Sequence, residues 1–188
     1  EGARIQSEPL SMSAPERDDN TNTEAIFIIG KNGAPENGNA DVSSYSLEFD
    51  AGTDGHVWST LCGYLTDFTE LSLSVTEHIT RGNNFQFRLR AKNMWGWGSY
   101  SAITSIQAAT KPLTITDLMA SVVSNGDYRV DWSLADDQGS ELLETHLQVW
   151  NIVTEQWITR SLFTPATSSW QVPMEYYNRH MVTNRAMR

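Results

Sequence analysis

The sequence predicts an all-β protein built as two tandem β-sandwiches, the second without its last strands. Three observations carry this. Apolar residues recur with period 2 almost wherever a pattern exists, as in Phe85, Phe87, Leu89 and Ala91, and such alternation lines one face of a strand. Clusters of Asn, Asp and Gly separate these runs, residues that accept turn conformations which β-branched side chains resist. The chain also matches itself at an offset near 100, since Pro9-Leu10-Ser11-Met12-Ser13 answers Pro112-Leu113-Thr114-Ile115-Thr116 at 103.

Seven strands are expected in the first unit, near residues 8–14, 24–29, 42–50, 56–62, 69–76, 84–92 and 100–108. The first is the repeated Pro9–Ser13 segment. The second holds Ala25 to Ile29, the longest uninterrupted apolar stretch, far below the roughly 20 residues of a membrane span. In the third, Tyr45, Leu47 and Phe49 alternate with Ser46 and Glu48; the fourth carries Trp58 and Cys62, and the fifth Leu71, Leu73 and Val75. The sixth sets Phe85, Phe87, Leu89 and Ala91 against Gln86, Arg88, Arg90 and Lys92. Turn clusters fall between them: Asp18-Asp19-Asn20, Lys31-Asn32-Gly33, Asn37-Gly38-Asn39, Gly52 to Gly55 and Gly82-Asn83-Asn84. Seven short strands with turn signals every 8 to 12 residues or so make a sandwich pattern.

The boundary is expected between Ala108 and Lys111, ahead of Pro112, giving units 1–110 and 111–188 joined by a short hinge. Gly139 answers Gly38 at 101, Leu147 and Val149 answer Leu47 and Phe49 at 100, and Trp157 answers Trp58 at 99. Trp170, Val172 and Met174 are matched to Leu71, Leu73 and Val75 at the same 99. Glu141 to Val153 has a helix-like composition, but its register with Ser43 to Phe49 decides for strand. Carrying the 99 offset forward puts the equivalents of Phe85, Phe87 and Leu89 at Asn184, Ala186 and Arg188, which do not make a buried face. The second unit is therefore expected to lack its last two strands. Either the natural chain continues past Arg188, or another polypeptide supplies them as an added strand pair.

These residues carry a resemblance. The run from Phe85 to Asn93, followed by Gly96-Trp97-Gly98 and Ser99-Tyr100-Ser101, resembles strand F, the F–G loop and strand G of a fibronectin type III domain. Val130-Asp131-Trp132, Gly139-Ser140, Leu142, Leu147 and Val149 resemble that family's B strand, B–C loop and C strand, with Trp132 as the core tryptophan. The dialect, with Trp58, Leu61-Cys62-Gly63 and a Gly-Trp-Gly loop, is similar to multi-repeat surface proteins of ciliated protists. Two positions depart from the family. Phe85 stands where a corner tyrosine is usual, so packing replaces its hydrogen bond. Ile29 or a close neighbour stands where the first unit should have its B-strand tryptophan.

The charge of −10, from 13 Lys and Arg against 23 Asp and Glu, repels phosphate backbones and anionic membranes. Nucleic acid and membrane insertion are not expected of this segment. Cys62 is the only thiol, so neither a disulfide framework nor Cys-rich zinc ligation can be built; it reads as a buried small apolar residue, with an intermolecular disulfide as the alternative. His56, His78, His146 and His180 are dispersed and fall in no metal-ligand spacing. Asp50-Ala51-Gly52-Thr53-Asp54-Gly55 has the flavour of a calcium loop, but Gly52 and Leu61 stand where oxygen ligands are needed, and it reads as a hairpin turn. Asp136-Asp137 and Arg17-Asp18-Asp19 read as solvated loops. No nucleophile elbow, phosphate loop or dinucleotide fingerprint occurs, and no cofactor is expected. There is no Asn-x-Ser/Thr sequon. The first residue is Glu1, compatible with a removed leader, with none, or with a piece of a longer chain.

The segment Met94 to Tyr100 supports two readings. Trp95 and Trp97 in a Gly-flanked loop could form an exposed recognition tip. Alternatively Trp97 or Tyr100 stacks on Arg88 and Arg90 from the outer face of the sixth strand, resembling the arginine and tryptophan ladder of cytokine-receptor modules, each stack contributing about 0.5 to 1 kcal/mol. Trp58, Trp132, Trp150, Trp157 and Trp170 read as core or inter-sheet residues. The expectation is a non-catalytic structural or adhesive module of a longer extracellular or cell-surface array, with neighbouring repeats or other copies of the chain as partners. An intracellular cytoskeletal or ciliary scaffold and an accessory module of a larger enzyme are the alternatives.

Overall fold

A computed structural model describes residues 5–30, 36–151, 154–164 and 166–172, and the chain divides into two units, Glu1–Thr110 and Lys111–Arg188. In the first, β1 (Glu16–Arg17), β2 (Ile26–Ile29) and β5 (Ser72–Val75) form one antiparallel sheet in the order β1-β2-β5. The other sheet runs β4-β3-β6-β7, with β8 also on β6: β3 is Val42–Phe49, β4 Ser59–Cys62, β6 Asn84–Asn93, β7 Gly96–Trp97 and β8 Thr104–Gln107. This is an immunoglobulin-like two-sheet arrangement. Phe85, Phe87, Leu89 and Ala91 of β6 are buried with Leu47 and Phe49 of β3 on one side and Ile26, Ile28 and Val75 on the other. Each large apolar side chain so buried contributes about 1.5 to 3 kcal/mol. Phe49 and Phe87 stack at 6.1 Å.

The segment expected as a first strand, 8–14, is not one. Pro9 and Pro15 cannot donate to a ladder, and the bonds here are isolated: the Leu10 amide donates to the Glu36 carbonyl at 2.8 Å and, just before the segment, the Ser7 amide to that of Gly38 at 3.0 Å. Pairing begins at Glu16, opposite Ile29, which takes Arg17 out of the loop assigned to it; Met12 still reaches the core. The last expected strand shortens to Thr104–Gln107, and Gly96–Trp97 adds a short one. Phe85 lies in the core, its ring facing Gly52. The Asp50 loop is the β3–β4 turn. The carboxylate of buried Asp50 accepts from the amides of Gly52 (3.0 Å), Gly55 (3.0 Å) and Gln86 (2.9 Å), so backbone donors occupy the oxygens that a cation would use.

In the second unit β9 (Met119–Val122), β10 (Tyr128–Asp131) and β13 (Ser169–Val172) form one sheet, and β11 (Thr145–Asn151) pairs with β12 (Gln156–Phe163). Within the helix-like stretch the described residues form a strand, Thr145–Asn151. Val130, Trp132 and Leu147 are its buried centre, with Phe163 and Trp170 packed against them. Trp150 and Trp157 are not in this core; they face each other across the β11–β12 ladder at 5.4 Å, edge to face, Trp157 exposed.

The ladders refine the internal repeat. Leu47 pairs with Cys62 and Leu147 with Ser161, and in both units a bulge follows that pair. Offsets of 100 and 99 are therefore structural. Ile28 pairs with Leu73, and Val130, buried like Ile28, pairs with Trp170. Leu73 thus corresponds to Trp170 and Val75 to Val172, two residues away from the match made at 99. Cys62 to Leu73 is 11 residues and Ser161 to Trp170 is 9, so the first unit has two extra residues there. By the same ladders Gly30, not Ile29, takes the place of Trp132: the Gly30 amide donates to the Leu71 carbonyl as that of Trp132 does to Ser168. Ile29 points away from the core, 37% exposed. The Lys31-Asn32-Gly33 turn, Met174, Asn184, Ala186 and Arg188 lie outside the described residues.

After Cys62 the chain turns at Gly63, whose φ is 82° and whose missing Cβ would overlap the Tyr45 carbonyl oxygen. The turn sets Phe68 beside Tyr45, whose amide donates to the Phe68 carbonyl at 2.6 Å. Gly63→Ala is expected to cost about 2 kcal/mol or more, read as a lowered urea midpoint; an unchanged midpoint would show that this turn does not constrain the unit.

Candidate functional site

Residues two apart on a strand lie about 6.8 Å from each other, close to twice the contact distance of about 3.5 Å between stacked carbon atoms. A ring therefore fits between successive outward side chains of one strand. β6 offers Arg88, Arg90 and Lys92 on that face, the face opposite the core. Trp58 comes from the turn before β4, Trp97 from β7 and Tyr100 from the segment after it. The Arg88 guanidinium lies 4.1 Å from the Trp58 ring centre and 4.1 Å from that of Tyr100. Arg90 lies 4.4 Å from Tyr100 and 4.9 Å from Trp97, and the Lys92 ammonium 5.6 Å from Trp97. The result is one column, Trp58, Arg88, Tyr100, Arg90, Trp97, Lys92, with cation and ring alternating.

Glu48 closes the column from β3, directly opposite Arg88 in the ladder. Its Oε2 accepts from Arg88 Nε at 2.9 Å and Nη2 at 2.7 Å, and its Oε1 from the Tyr100 hydroxyl at 2.5 Å. Burial pushes the carboxyl of Glu48 up, but the bonds from Tyr100 and Arg88 and the charges of Arg88 and Arg90 outweigh it and hold the group below its ordinary 4.5. Burial, together with the bond to Glu48 and its charge, pushes the Tyr100 phenol above its ordinary 10. Arg90 is held differently. Its Nε and the hydroxyl of Ser46, its cross-strand neighbour, are buried with no hydrogen-bond partner among the described residues, so the two ring faces hold it.

Of the residues singled out from the sequence, Arg88, Arg90, Trp97 and Tyr100 come together here. Trp95 does not; it stands 53% exposed beside Met94 at the β6–β7 turn, its amide bonded to the Asn93 side chain. Sequence reasoning missed Trp58, Glu48 and Lys92. Trp58, expected as a core or inter-sheet residue, instead caps the column. Glu48 and Lys92 share the outward parity of Ser46 and Arg90, a signal that was present; nothing in the local sequence links Trp58 to Arg88, 30 positions on. Cys62 is half-buried at the end of β4, and burial pushes its thiol above the ordinary value of 9. Among the described residues no three His, Cys, Asp or Glu side chains are grouped to hold a metal ion, and no helix is long and apolar enough to cross a membrane. The column is an electrostatic and stacking device.

No family model and no curated protein matches the chain. Among solved structures it is similar to the kinase region of twitchin from C. elegans, at 22% identity and a TM-score of 0.44 over 54% of this chain. It is similar to the FN1–FN3 domains of chicken CNTN1, at 15% identity and 0.46 over 89%, and to domains of titin, at 17% and 0.40 over 56%. The chain spans 17%, 55% and 33% of those three chains. The assignment of two immunoglobulin-like sandwiches rests on the strand ladders described above.

Replacing Glu48 by Gln removes the charge behind both Arg88 bonds and leaves one acceptor oxygen where Glu48 has two, so the Arg88 and Tyr100 bonds can no longer all be made. Glu48→Gln is expected to cost about 2 kcal/mol near neutral pH and Tyr100→Phe, which keeps the ring, about 1 kcal/mol. Because the folded state lowers the affinity of Glu48 for its proton, its contribution is present above pH 4.5 and is lost as pH falls through the folded value. Urea titrations between pH 3 and 7, roughly the carboxylate range and above, should show the gap between wild type and Glu48→Gln closing toward the acid end. A pH-independent gap would count against the ion pair as its source.

Proposed function

We propose that the chain is a non-catalytic structural and adhesive module, a two-unit piece of a longer extracellular or cell-surface repeat array or filament. Its partners on this reading are proteins: neighbouring repeats or other copies of the chain. The observation that carries the reading is the agreement of the two units ladder by ladder, down to the bulge after Leu47 and after Leu147. Tandem duplication of one small sandwich is how spacer arrays are built. The commitment of Arg88, Glu48, Tyr100 and Asp50 to one another and to the backbone supports it further, since these groups stiffen the sheet and leave none of themselves free for proton transfer. The similarity to protist multi-repeat surface proteins, carried by Trp58, Leu61-Cys62-Gly63 and the Gly-Trp-Gly loop, belongs to this reading. A cytoskeletal or ciliary scaffold inside the cell is the second reading, favoured by the free thiol of Cys62 and the absence of sequons.

The test is the intact mass of the native polypeptide with peptide sequencing beyond Arg188. A mass well above 21.1 kDa with further units of about 100 residues is expected. A native chain of 21.1 kDa would overturn the array, and protection of the protein from labelling on intact cells would move it to the second reading.

A further inference from the structure

In the first unit β3 is paired along both edges, with β4 on one side and β6 on the other. Its counterpart β11 has the same bulge and the same hairpin partner, but among the described residues it pairs with β12 alone. The edge that corresponds to the β6 side of β3 is thus a row of backbone donors and acceptors beside buried Leu147. Natural edges of this kind are blunted with lysine or proline, and Thr145–Asn151 contains neither. The interior is unfinished as well. Val149 is half-buried where its counterpart Phe49 is 4% exposed. Trp132 packs against Phe163 at 5.3 Å and Phe163 against Trp170 at 6.2 Å, an aromatic trio. Yet the Trp132 indole N–H is buried with no hydrogen-bond partner among the described residues, although such groups usually find an acceptor.

The outer face shows what a strand at this edge would carry. In the first unit Arg88 of β6 lies opposite Glu48 and rests 4.1 Å from the Trp58 ring centre. The second unit keeps the places that receive such an arginine: Gln148 stands where Glu48 is, and Trp157, 37% exposed, where Trp58 is. Trp150 holds the Trp157 ring edge to face at 5.4 Å. The Gln148 amide nitrogen donates to Thr159 Oγ1 at 3.3 Å, and its amide oxygen is the kind of acceptor a guanidinium needs.

We propose that the open edge of β11 accepts one extended strand from another polypeptide, a strand with an arginine between two apolar residues. The register of β3 and β6 fixes the placement. Apolar side chains lie opposite Leu147 and Val149, as Leu89 and Phe87 lie opposite Leu47 and Phe49, and the arginine lies opposite Gln148 with its guanidinium on Trp157. Main-chain bonds supply the affinity in this mode of recognition and alternate side chains the selectivity. The charge of −10 on the chain favours a cationic donor. The β6 strand of an intact second copy is not that donor, since both its faces are committed in its own sandwich.

The experiment uses the whole chain, whose first unit already holds its own β6, and as probe a synthetic peptide of the β6 sequence, Asn84–Asn93. Backbone amide exchange and calorimetry read the result. Saturating peptide is expected to slow exchange of the β11 amides about ten-fold or more and to leave those of β3 unchanged. Arg88→Gln in the peptide should weaken binding about five-fold, as should Trp157→Ala in the chain. Gln148→Glu should tighten the arginine peptide about three-fold and leave the glutamine peptide unchanged. The peptide substitution keeps the test valid should a chain variant fail to fold. No change at β11, the result if residues 173–188 of the same chain take that edge, would overturn the proposal. So would binding indifferent to both the arginine and Trp157. The acceptor edge does not depend on the array reading, which the native mass decides separately.

Discussion

Strand β6 is the element on which the first unit depends, because both of its faces are structural. One parity, Phe85 to Ala91, is the centre of the core; the other, Arg88 to Lys92, is the spine of the cation and ring column. A strand in a small sandwich ordinarily has one wet face, where side chains add little. Here that face is covered by Trp58, Tyr100 and Trp97, which come from three separate segments and tie the β3–β4 turn, β7 and the stretch before β8 to one strand. Ten residues thus position most of what surrounds them, by nothing more than alternation and a residue spacing that matches the thickness of an intercalated ring.

The second unit shows how much of this belongs to the ladders and how much to the side chains. Its β11–β12 hairpin has the same pairing and the same bulge, but Gln148 stands where Glu48 is, and Trp157, the counterpart of Trp58, meets Trp150 edge to face where Trp58 meets an arginine. Its core is the aromatic trio around Trp132 where the first unit relies on aliphatic residues and Phe85, Phe87 and Phe49. Backbone pairing tolerates these exchanges because ladder hydrogen bonds are indifferent to side-chain identity. Packing does not, and each unit has settled on its own filling.

Alternation made the faces of β3 and β6 legible, and the self-match made the two-unit plan legible, since both depend on residues close in sequence or on simple repetition. The exchange of Gly30 for Trp132 was half visible: the missing tryptophan could be noticed, but not its register, because a two-residue length difference between Cys62 and Leu73 shifts the match and only the ladders locate it. The first strand was misread because Pro9-Leu10-Ser11-Met12 alternates like a strand while its prolines deny it a ladder. Trp58 was misread for a different reason. A tryptophan on a sheet is equally at home against a core or against a guanidinium, and the choice is made by Arg88, which the fold brings across from a distant strand.

A small cavity of about 30 Å³ lies beside Gly30 with Leu47 and Leu89 among its walls, on the face of β3 and β6 opposite the column. A cavity left by a large side chain persists to the extent that its walls cannot move inward, and the cost of keeping it depends on how far the site can collapse. Leu89, one wall, sits between Arg88 and Arg90, each clamped between two rings on the outer face. Leu47, another wall, sits between Ser46, buried beneath the column, and Glu48, which holds both Arg88 and Tyr100. For either leucine to swing into the empty space its strand would have to rotate, and rotation would pull the cations off their rings and break the Glu48 network. The stacking outside therefore preserves the space inside, and a sandwich stiffened in this way can do without the tryptophan that fills its neighbour.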